Sequence, residues 1–432
     1  MSQESIDYLY SYAWLGSKLG LDRIQELMQR LGNPQDKLRF IHLAGTNGKG
    51  STAAFLSSIL QEAGYKTGLY TSPFIHNFHE RMQVNGLPMP DETLDRLVAE
   101  MRPHADSMED HPTTFELDTA LAFSFFAEME CDIVVLETGM GGGMDATNVI
   151  KNPELCVITP IDMDHMEFLG DHIAKIASAK AGIIKPGRPV VSAKQHPEAL
   201  PILKEVSQSL SSNFDEVDLS KLTPAAFSLH GQNFSFGRFS DLSIRLLGGY
   251  QMENASLAIM AIECLNQGGH FTVSDAAIRS GLQKARWPGR FELCANYPPL
   301  IIDGGHNAQG AKSLAANLAR YFPEEEITFI MGVMADKDLD AILAPILPIA
   351  RHFYTITPDN PRAMEANALA ARITTLGGSA AACEDGIDAA LLLSKIDCSH
   401  GGVVCYFGSL YSVGAAREAV GLTASTFFSA QG

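Results

Sequence analysis

The stretch that decides the fold covers residues 38–63 and reads LRFIHLAGTNGKGSTAAFLSSILQEA. The apolar run over residues 38–44 predicts a buried strand, and the apolar pattern that continues to residue 63 predicts a helix. A glycine-rich turn that ends at Lys49 separates them. Glycines let backbone N–H groups point toward an anion, the helix N-terminus adds positive potential, and the lysine reaches outer phosphates. The stretch therefore predicts a phosphate-binding loop.

The residues predicted to bind the nucleotide are consecutive positions of this loop: Gly45, Thr46, Asn47, Gly48, Lys49, Gly50 and Ser51. Their spacing differs from the common P-loop, because Leu43 stands where that pattern has its first glycine and Gly50 follows the lysine directly. A purely structural strand–helix turn is the alternative interpretation. The strand before the loop and the helix after it favour phosphate binding.

Short apolar runs alternate with helical stretches along most of the chain. Continuous apolar strands separated by helices predict a parallel sheet covered on both faces. Residues 207–247 differ, since their Ser- and Phe-rich alternation predicts a small antiparallel ribbon on the flank. We therefore predict an α/β protein with a P-loop ATPase-like domain and a mostly parallel sheet over residues 1–297, and a smaller Rossmann-like α/β domain over residues 298–432.

Composition excludes several classes of protein. A chain of 432 residues with 46% hydrophobic and 19% charged residues is not disordered, and a net charge of −18 argues against a nucleic-acid binder. No apolar run approaches the roughly 18 residues of a membrane span, and the polar residues 1–4 do not suit a signal peptide. The seven cysteines form no C-x-x-C pair, which indicates reduced thiols in a cytoplasmic protein.

Three further side chains stand beside predicted strands or helix ends. Glu137 follows a buried strand, where a carboxylate can hold Mg²⁺ or simply cap the strand. His165 follows the next strand; oxygen ligands suit Mg²⁺ better than imidazole does, so a hydrogen-bonded turn residue is the ordinary interpretation. Lys180 lies near a predicted helix end that Gly182 closes, which is ordinary helix chemistry.

The loop sequence GTNGKGS resembles the ATP loop of the Mur ligase superfamily, in particular the folylpolyglutamate synthases. Further segments similar to that family lie on both sides of the loop, in the family's order. They are LGLDR (19–23), LGNP (31–34), TSP (71–73), ER (80–81), VNG (84–86), ETGMGGGMDATN (137–148), WPGRFE (287–292), DGGHN (303–307), DKD (336–338), NPR (360–362) and GSLY (408–411). The chain departs from the family pattern at Gly143-Met144, where Arg-Leu is usual, and at Gly305 and Ala308, where Ala and Pro are usual.

The resemblance implies roles for particular residues. The implied catalytic residues are Lys49, His165 and Lys180, and the matching lysine of the family can be carbamylated near the second of two Mg²⁺ ions. The implied metal ligands are Ser72, Glu137 and His165. The implied nucleotide contacts beyond the loop are Asn254, Arg290, Asp303 and His306. The implied substrate contacts are Arg81, Thr114, Glu116 and Asp145.

The resemblance also implies a reaction, in which ATP phosphorylates a carboxylate and an amine attacks the acyl phosphate, releasing ADP and phosphate. The implied substrates are ATP, L-glutamate and a reduced folate with a glutamate tail, and also dihydropteroate; we expect a monomer. One alternative is a P-loop ATPase or switch without amide chemistry. Another is a different Mur-type ligase, such as a peptidoglycan-precursor enzyme, but those carry a domain before the loop for which Lys49 lies too near the start.

Overall fold

The large sheet carries the phosphate loop. The computed structural model describes residues 2–164, 166–399 and 401–423. The strands of the large sheet are β1 (Phe40–Ala44), β2 (Thr67–Tyr70), β3 (Met82–Val84), β4 (Leu87–Pro88), β5 (Ile133–Glu137), β6 (Leu155–Ile158), β7 (Val190–Ser192) and β8 (Phe214–Glu216). Their order across the sheet is β4-β3-β2-β5-β1-β6-β7-β8. The pairs β2–β3 and β3–β4 are antiparallel and the other neighbours are parallel, so the predicted mostly parallel sheet is confirmed.

Helices cover both faces of this sheet, because successive side chains of a strand point to opposite sides. The helices of this part are α1 (Ser2–Tyr10), α2 (Asp22–Arg30), α3 (Lys49–Glu62), α4 (Asp91–Asp106), α5 (Thr114–Glu128), α6 (Met166–Leu169), α7 (Ile173–Ala181), α8 (Ala199–Ser209), α9 (Gly249–Gln267) and α10 (Asp275–Lys284). On β1, Ile41 and Leu43 pack toward α3, α9 and α10, whereas Phe40 packs toward α5 on the other face.

A small antiparallel sheet lies beside α9 and α10. Its strands, in the order β11-β10-β9, are β9 (Leu222–Ser228), β10 (Gly231–Phe236) and β11 (Phe239–Ile244). Phe234 and Leu242 fill the same core as α9. The ribbon predicted over residues 207–247 is therefore shorter than we expected. Phe214 pairs in parallel with Val190, so the preceding segment extends the large sheet instead.

A second sheet of six strands forms the other half of the molecule. Its strands are β12 (Glu292–Asn296), β13 (Pro299–Asp303), β14 (Ile327–Met331), β15 (Ala350–Thr355), β16 (Ala380–Ala382) and β17 (Val403–Phe407), in the order β12-β13-β17-β14-β15-β16. Its helices are α11 (Ala308–Tyr321), α12 (Leu339–Leu343), α13 (Ala366–Thr375), α14 (Ile387–Asp397) and α15 (Val413–Glu418). All strand pairs except β12–β13 are parallel.

The division between the domains at residue 297 stays a prediction. The second sheet takes its edge strand β12 from residues that precede that division. The turn that carries Arg290 therefore leads directly into the second sheet.

The state of the cysteines and the character of the helices can be compared with what the composition predicts. All seven cysteines are free thiols, and most of them are buried. Within the described ranges, no helix has both the length and the apolar character needed to cross a bilayer.

Candidate active site

The phosphate loop turns tightly between the carboxyl end of β1 and the first residue of α3. Gly45 and Gly48 have φ values of 151° and 86°, which favour glycine. A Cβ atom at Gly45 would lie 1.8 Å from Oγ1 of Thr159, and one at Gly48 would lie 2.6 Å from Oδ1 of Asn254. Glycine is therefore required at both positions by backbone conformation and by space.

The loop is fastened to the segment that follows β6. The amides of Thr46 and Asn47 donate to the carbonyl of Pro160 at 2.9 and 3.3 Å. Oγ1 of Thr46 donates to the carbonyl of Asp162 at 2.9 Å and accepts from its amide at 3.0 Å. These bonds use the polar atoms of Thr46 within the protein. The amides at the start of α3 are available for an anion, because a helix leaves its first N–H groups without intrahelical partners.

Two lysine amines converge on the carbonyl of Gly45. Nζ of Lys180, in the last turn of α7, donates to that oxygen at 2.6 Å, and Nζ of Lys49 donates to it at 3.2 Å. Burial lowers the pKa of Lys180 to about 7, and the charge of Lys49 acts in the same direction. At neutral pH a substantial fraction of the Lys180 amine is therefore unprotonated.

Glu137 and Ser72 lie together at the carboxyl edge of the large sheet. Glu137 is the last residue of β5, between β1 and β2, and Oε2 accepts from the Ser72 amide at 3.3 Å. Burial raises the pKa of Glu137 to about 7, opposed chiefly by the charge of Lys49. Carboxylate and hydroxyl oxygens fit Mg²⁺. The third predicted ligand, His165, lies outside the described residues, and among those described no three His, Cys, Asp or Glu side chains form a metal cluster.

The second sheet presents Asp303, His306 and Arg290. Asp303, at the end of β13, accepts from the amides of Phe291 at 2.9 Å and Gly305 at 2.7 Å. Burial raises the pKa of Asp303 and lowers that of His306 to about 4, so the imidazole is neutral at physiological pH. The charge of Arg290 opposes the rise in pKa of both Asp303 and Glu137. Arg290 therefore acts on carboxylates from both halves of the molecule.

The phosphate loop touches the start of α11 directly. Nδ2 of Asn47 donates to Oε1 of Gln309, and Nδ2 of Asn307 donates to Oδ1 of Asn47 at 3.5 Å. Nearby, Lys337 forms an ion pair with Asp164 at 3.7 Å. Sequence reasoning missed Gln309, because it lies two residues beyond the recognised motif and 262 positions from its partner.

Amide side chains connect α9 with the first turn of α3. Nδ2 of Asn254 donates to Oε1 of Gln251 at 3.0 Å, and Nε2 of Gln251 donates to Oγ of Ser51 at 3.2 Å. Asn254 also lies against Gly48. The structure thus brings Asn254 to the loop, and its contact with the nucleotide stays a prediction.

Two of the four predicted substrate residues form bonds at the start of α5. Glu116 accepts from the amide and hydroxyl of Thr113 at 2.7 and 2.9 Å and from Arg23 at 3.0 Å. Oγ1 of Thr114 donates to the carbonyl of Leu9 at 3.0 Å. The pair Thr113–Glu116 is a capping box, whose T-x-x-E spacing was readable from the sequence.

The other two predicted substrate residues are also engaged within the protein. Asp145 is buried and accepts from the amide of Met140 at 2.8 Å and from both the amide and hydroxyl of Thr147. The guanidinium of Arg81 is largely buried, with Nη1 3.6 Å from Oδ2 of Asp118. Both side chains interact with other residues of the first domain, and their contacts with substrate stay predictions.

Two family matches cover most of the chain. Residues 43–262 match the family described as Mur ligase middle domain, and residues 289–410 match the one described as Mur ligase, glutamate ligase domain. The chain belongs to the Mur ligase family. Over 371 residues, this Mur ligase is 42% identical to the dihydrofolate synthase/folylpolyglutamate synthase of Bacillus subtilis. The alignment covers 84% of this chain and 86% of that protein.

Solved structures place this Mur ligase with the folylpolyglutamate synthases. The Mycobacterium tuberculosis folylpolyglutamate synthase complexed with ADP and AMPPCP superposes with a TM-score of 0.88 at 30% identity, covering 98% of this chain and 99% of that one. A folylpolyglutamate synthase–AMPPCP–folate complex gives a TM-score of 0.84 at 33% identity, covering 97% and 100%. The fold class and the ligase family predicted from the motifs are therefore confirmed.

Proposed function

We propose that this Mur ligase uses ATP to join L-glutamate to the glutamate tail of a reduced folate, and that it also joins glutamate to dihydropteroate. The observation that carries this proposal is the contact of Asn47 with Asn307 and Gln309. A nucleotide on the phosphate loop faces the second domain, so an acyl phosphate formed there is held where an amine can reach it and water is excluded. The Bacillus relative is named for both activities.

The side chains of the site supply charge and orientation. A carboxylate is a poor electrophile, and phosphorylation by ATP gives it a leaving group that the amine of glutamate displaces. Lys49 and the start of α3 bind the phosphates from the first domain, and Arg290 binds them from the turn that leads into the second sheet. Asp303 connects the residue after Arg290 with the loop that follows β13, through its bonds to the amides of Phe291 and Gly305.

Mg²⁺ fits the oxygen donors at the edge of the large sheet. We assign Glu137 and Ser72 as ligands, with His165 as the third, and propose two ions. Bound Mg²⁺ neutralises the charge of the transferred phosphoryl group. The unprotonated fraction of Lys180, whose pKa is about 7, can add to CO₂ with formation of an N–C bond and loss of a proton, which supports carbamylation of this lysine.

Local cations must attract anionic substrates to a chain with a net charge of −18. Lys49 and Arg290 fill this role, whereas the charge of Arg81 is paired with Asp118. Both sides of the cleft come from one chain, so we propose a monomer. The free thiols support a cytoplasmic location.

Phosphate release measured in parallel reactions tests the proposal. The purified protein receives ATP and Mg²⁺ with tetrahydrofolate, with dihydropteroate or with neither acceptor, each with and without L-glutamate. We expect release that requires both an acceptor and glutamate, and a product heavier than the acceptor by one glutamyl residue. Equal ATP hydrolysis without acceptor and glutamate would identify an ATPase without amide chemistry. Activity with tetrahydrofolate alone would remove the dihydropteroate reaction.

A further inference from the structure

A buried arginine of the second domain links three separate segments of the chain. Arg417 lies in α15 and is 3% exposed. Its Nε and Nη2 donate to Oε2 and Oε1 of Glu292 at 3.1 and 3.2 Å, and its Nη1 donates to Nε2 of His76. The two parallel bonds to one carboxylate fix both the direction and the distance of the guanidinium. We call His76, Glu292, Arg417 and Glu418 the Arg417 cluster.

On the first-domain side, the cluster holds the loop that begins at Ser72. The amides of Ile75 and His76 donate to the carboxylate of Glu80 at 2.9 and 3.2 Å, which fixes the loop within its own domain. A Cβ atom at Gly414 would lie 2.2 Å from the carbonyl oxygen of Ile75, so α15 abuts this loop. Four residues before His76, the Ser72 amide donates to Glu137. The loop that the cluster holds therefore begins at the edge proposed to bind Mg²⁺.

The tautomer of His76 follows from its partners. Nε2 accepts from Arg417, so the ring proton lies on Nδ1, which is 3.1 Å from Oε1 of Glu418. The imidazole is thus oriented at both ends. This arrangement needs an acceptor at position 76 rather than a positive charge.

On the second-domain side, the cluster holds the turn that carries Arg290. Oε2 of Glu292 also accepts from the Gly289 amide at 2.8 Å. The carbonyl of Gly289 in turn accepts from the Gly304 amide at 2.9 Å and from Nη1 of Arg290 at 3.1 Å. Glu292 therefore connects Arg417 to the backbone from which the Arg290 side chain extends.

We propose that Arg417 is a positioning residue that holds Arg290 in register with the Ser72–Glu137 edge of the first domain. It acts through Glu292 on one side and through His76 on the other. The inference rests on the proposed role of Arg290 in binding the transferred phosphate. A displacement of about 1 Å in a group that aligns a reaction can lower its rate by about 100-fold. We expect the loss in kcat and not in the Kd for ADP, because ADP lacks the phosphoryl group that Arg290 would align.

The first experiment compares Arg417→Lys with Arg372→Gln. Lysine keeps the charge of Arg417 but not its two-bond geometry. Arg372 pairs with Asp340 on the surface of the same domain and serves as the control. We expect Arg417→Lys to lower kcat about tenfold or more while the Kd for ADP changes less than about threefold. The proposal is overturned if Arg417→Lys keeps the wild-type kcat. It is also overturned if kcat falls only as far as the fraction of protein that still binds ADP.

The second experiment tests both links of the cluster. Glu292→Gln and Arg417→Lys act on one pathway, so the double variant is expected to lose no more than the worse single variant, whereas multiplied losses overturn the proposal. His76→Gln keeps an acceptor and is expected to retain more kcat than His76→Leu. Equal kcat in these two variants overturns the link through His76.

Arg290→Gln separates this inference from the proposed function. Loss of kcat in Arg290→Gln with normal kcat in the Arg417 and Glu292 variants leaves the proposed function standing and overturns only the role of Arg417. Wild-type kcat in Arg290→Gln overturns both the assignment of Arg290 and the inference built on it.

Discussion

The phosphate loop and the Arg417 cluster fix polar groups at one cleft, but they are assembled over different distances along the chain. Lys49 bonds a carbonyl four residues away, whereas Arg417 bonds residues 125 and 341 positions away. The loop is complete once the first domain has folded. The cluster is complete only when both domains are together, because His76 and Arg417 come from different ends of the chain. Substitutions in the loop are expected to abolish turnover, whereas substitutions at the contacts between the domains are expected to lower it only in part.

The largest effect is expected from Lys49→Ala, which breaks the loop side of the comparison. Without this amine the phosphates lose their main cation in the first domain, and turnover should fall about 1000-fold or more. Phosphate release at saturating substrates measures the loss. Lys312→Ala, at an exposed position of α11, provides the control. Near-normal turnover in Lys49→Ala would contradict the assignment of the phosphate loop.

A smaller loss is expected from Asp303→Asn, which breaks the second-domain side. The amide of asparagine accepts poorly from two backbone donors at once, so either Phe291 or Gly305 loses its partner and the Arg290 turn shifts. We expect kcat to fall about 100-fold and the free energy of unfolding to fall by about 1–3 kcal/mol. Steady-state kinetics and urea unfolding measure both.

Asp338→Asn is the matched control for Asp303→Asn, since Asp338 caps α12 from an exposed position and asparagine caps equally well. If the two variants behave alike, Asp303 has no special place at the cleft.

Gln309→Ala tests the contact that joins the two sides, and its effect should be a few-fold. Loss of the bond to Asn47 is expected to raise KM for ATP about two- to fivefold with little change in kcat. Gln309→Glu places a negative charge beside the loop and should raise KM further. An unchanged KM in Gln309→Glu would show that this side chain points away from the phosphates.

The smallest effect, a change in the pH dependence of stability, is expected from Asp118→Asn. Burial raises the pKa of Asp118 to about 6 from its usual 3.8, opposed by the charge of Arg81. The folded state therefore binds a proton that the unfolded state has lost between these values. The stabilisation is fully present below about pH 4 and is lost as the pH rises through about 6.

The difference in unfolding free energy between wild type and Asp118→Asn should thus fall from about pH 4 to about pH 6 and stay level above it. Urea unfolding across that interval measures this difference. A difference that grows with pH would mean that the Arg81 ion pair outweighs burial.

The sequence predicted the parts of the site that are contiguous or lie at strand ends. The loop glycines and Lys49 must lie close together in the sequence to surround an anion, and Glu137 and Asp303 each end a strand of a sheet with mostly parallel strands. Glu116 was harder to interpret, because a capping box uses the same carboxylate that a substrate contact would use. His76 and Arg417 could not be paired from one sequence, since nothing local marks partners 341 residues apart.

The contact between Trp287 and Gly50 has an optical consequence. A Cβ atom at Gly50 would lie 2.4 Å from the indole ring, so the ring lies directly on the first turn of α3. The chain has two tryptophans, and the other, Trp14, is 78% exposed. Replacing Trp14 with phenylalanine would leave a single indole at the phosphate loop. The emission of this indole would then follow nucleotide arrival and cleft opening in real time, without any attached dye.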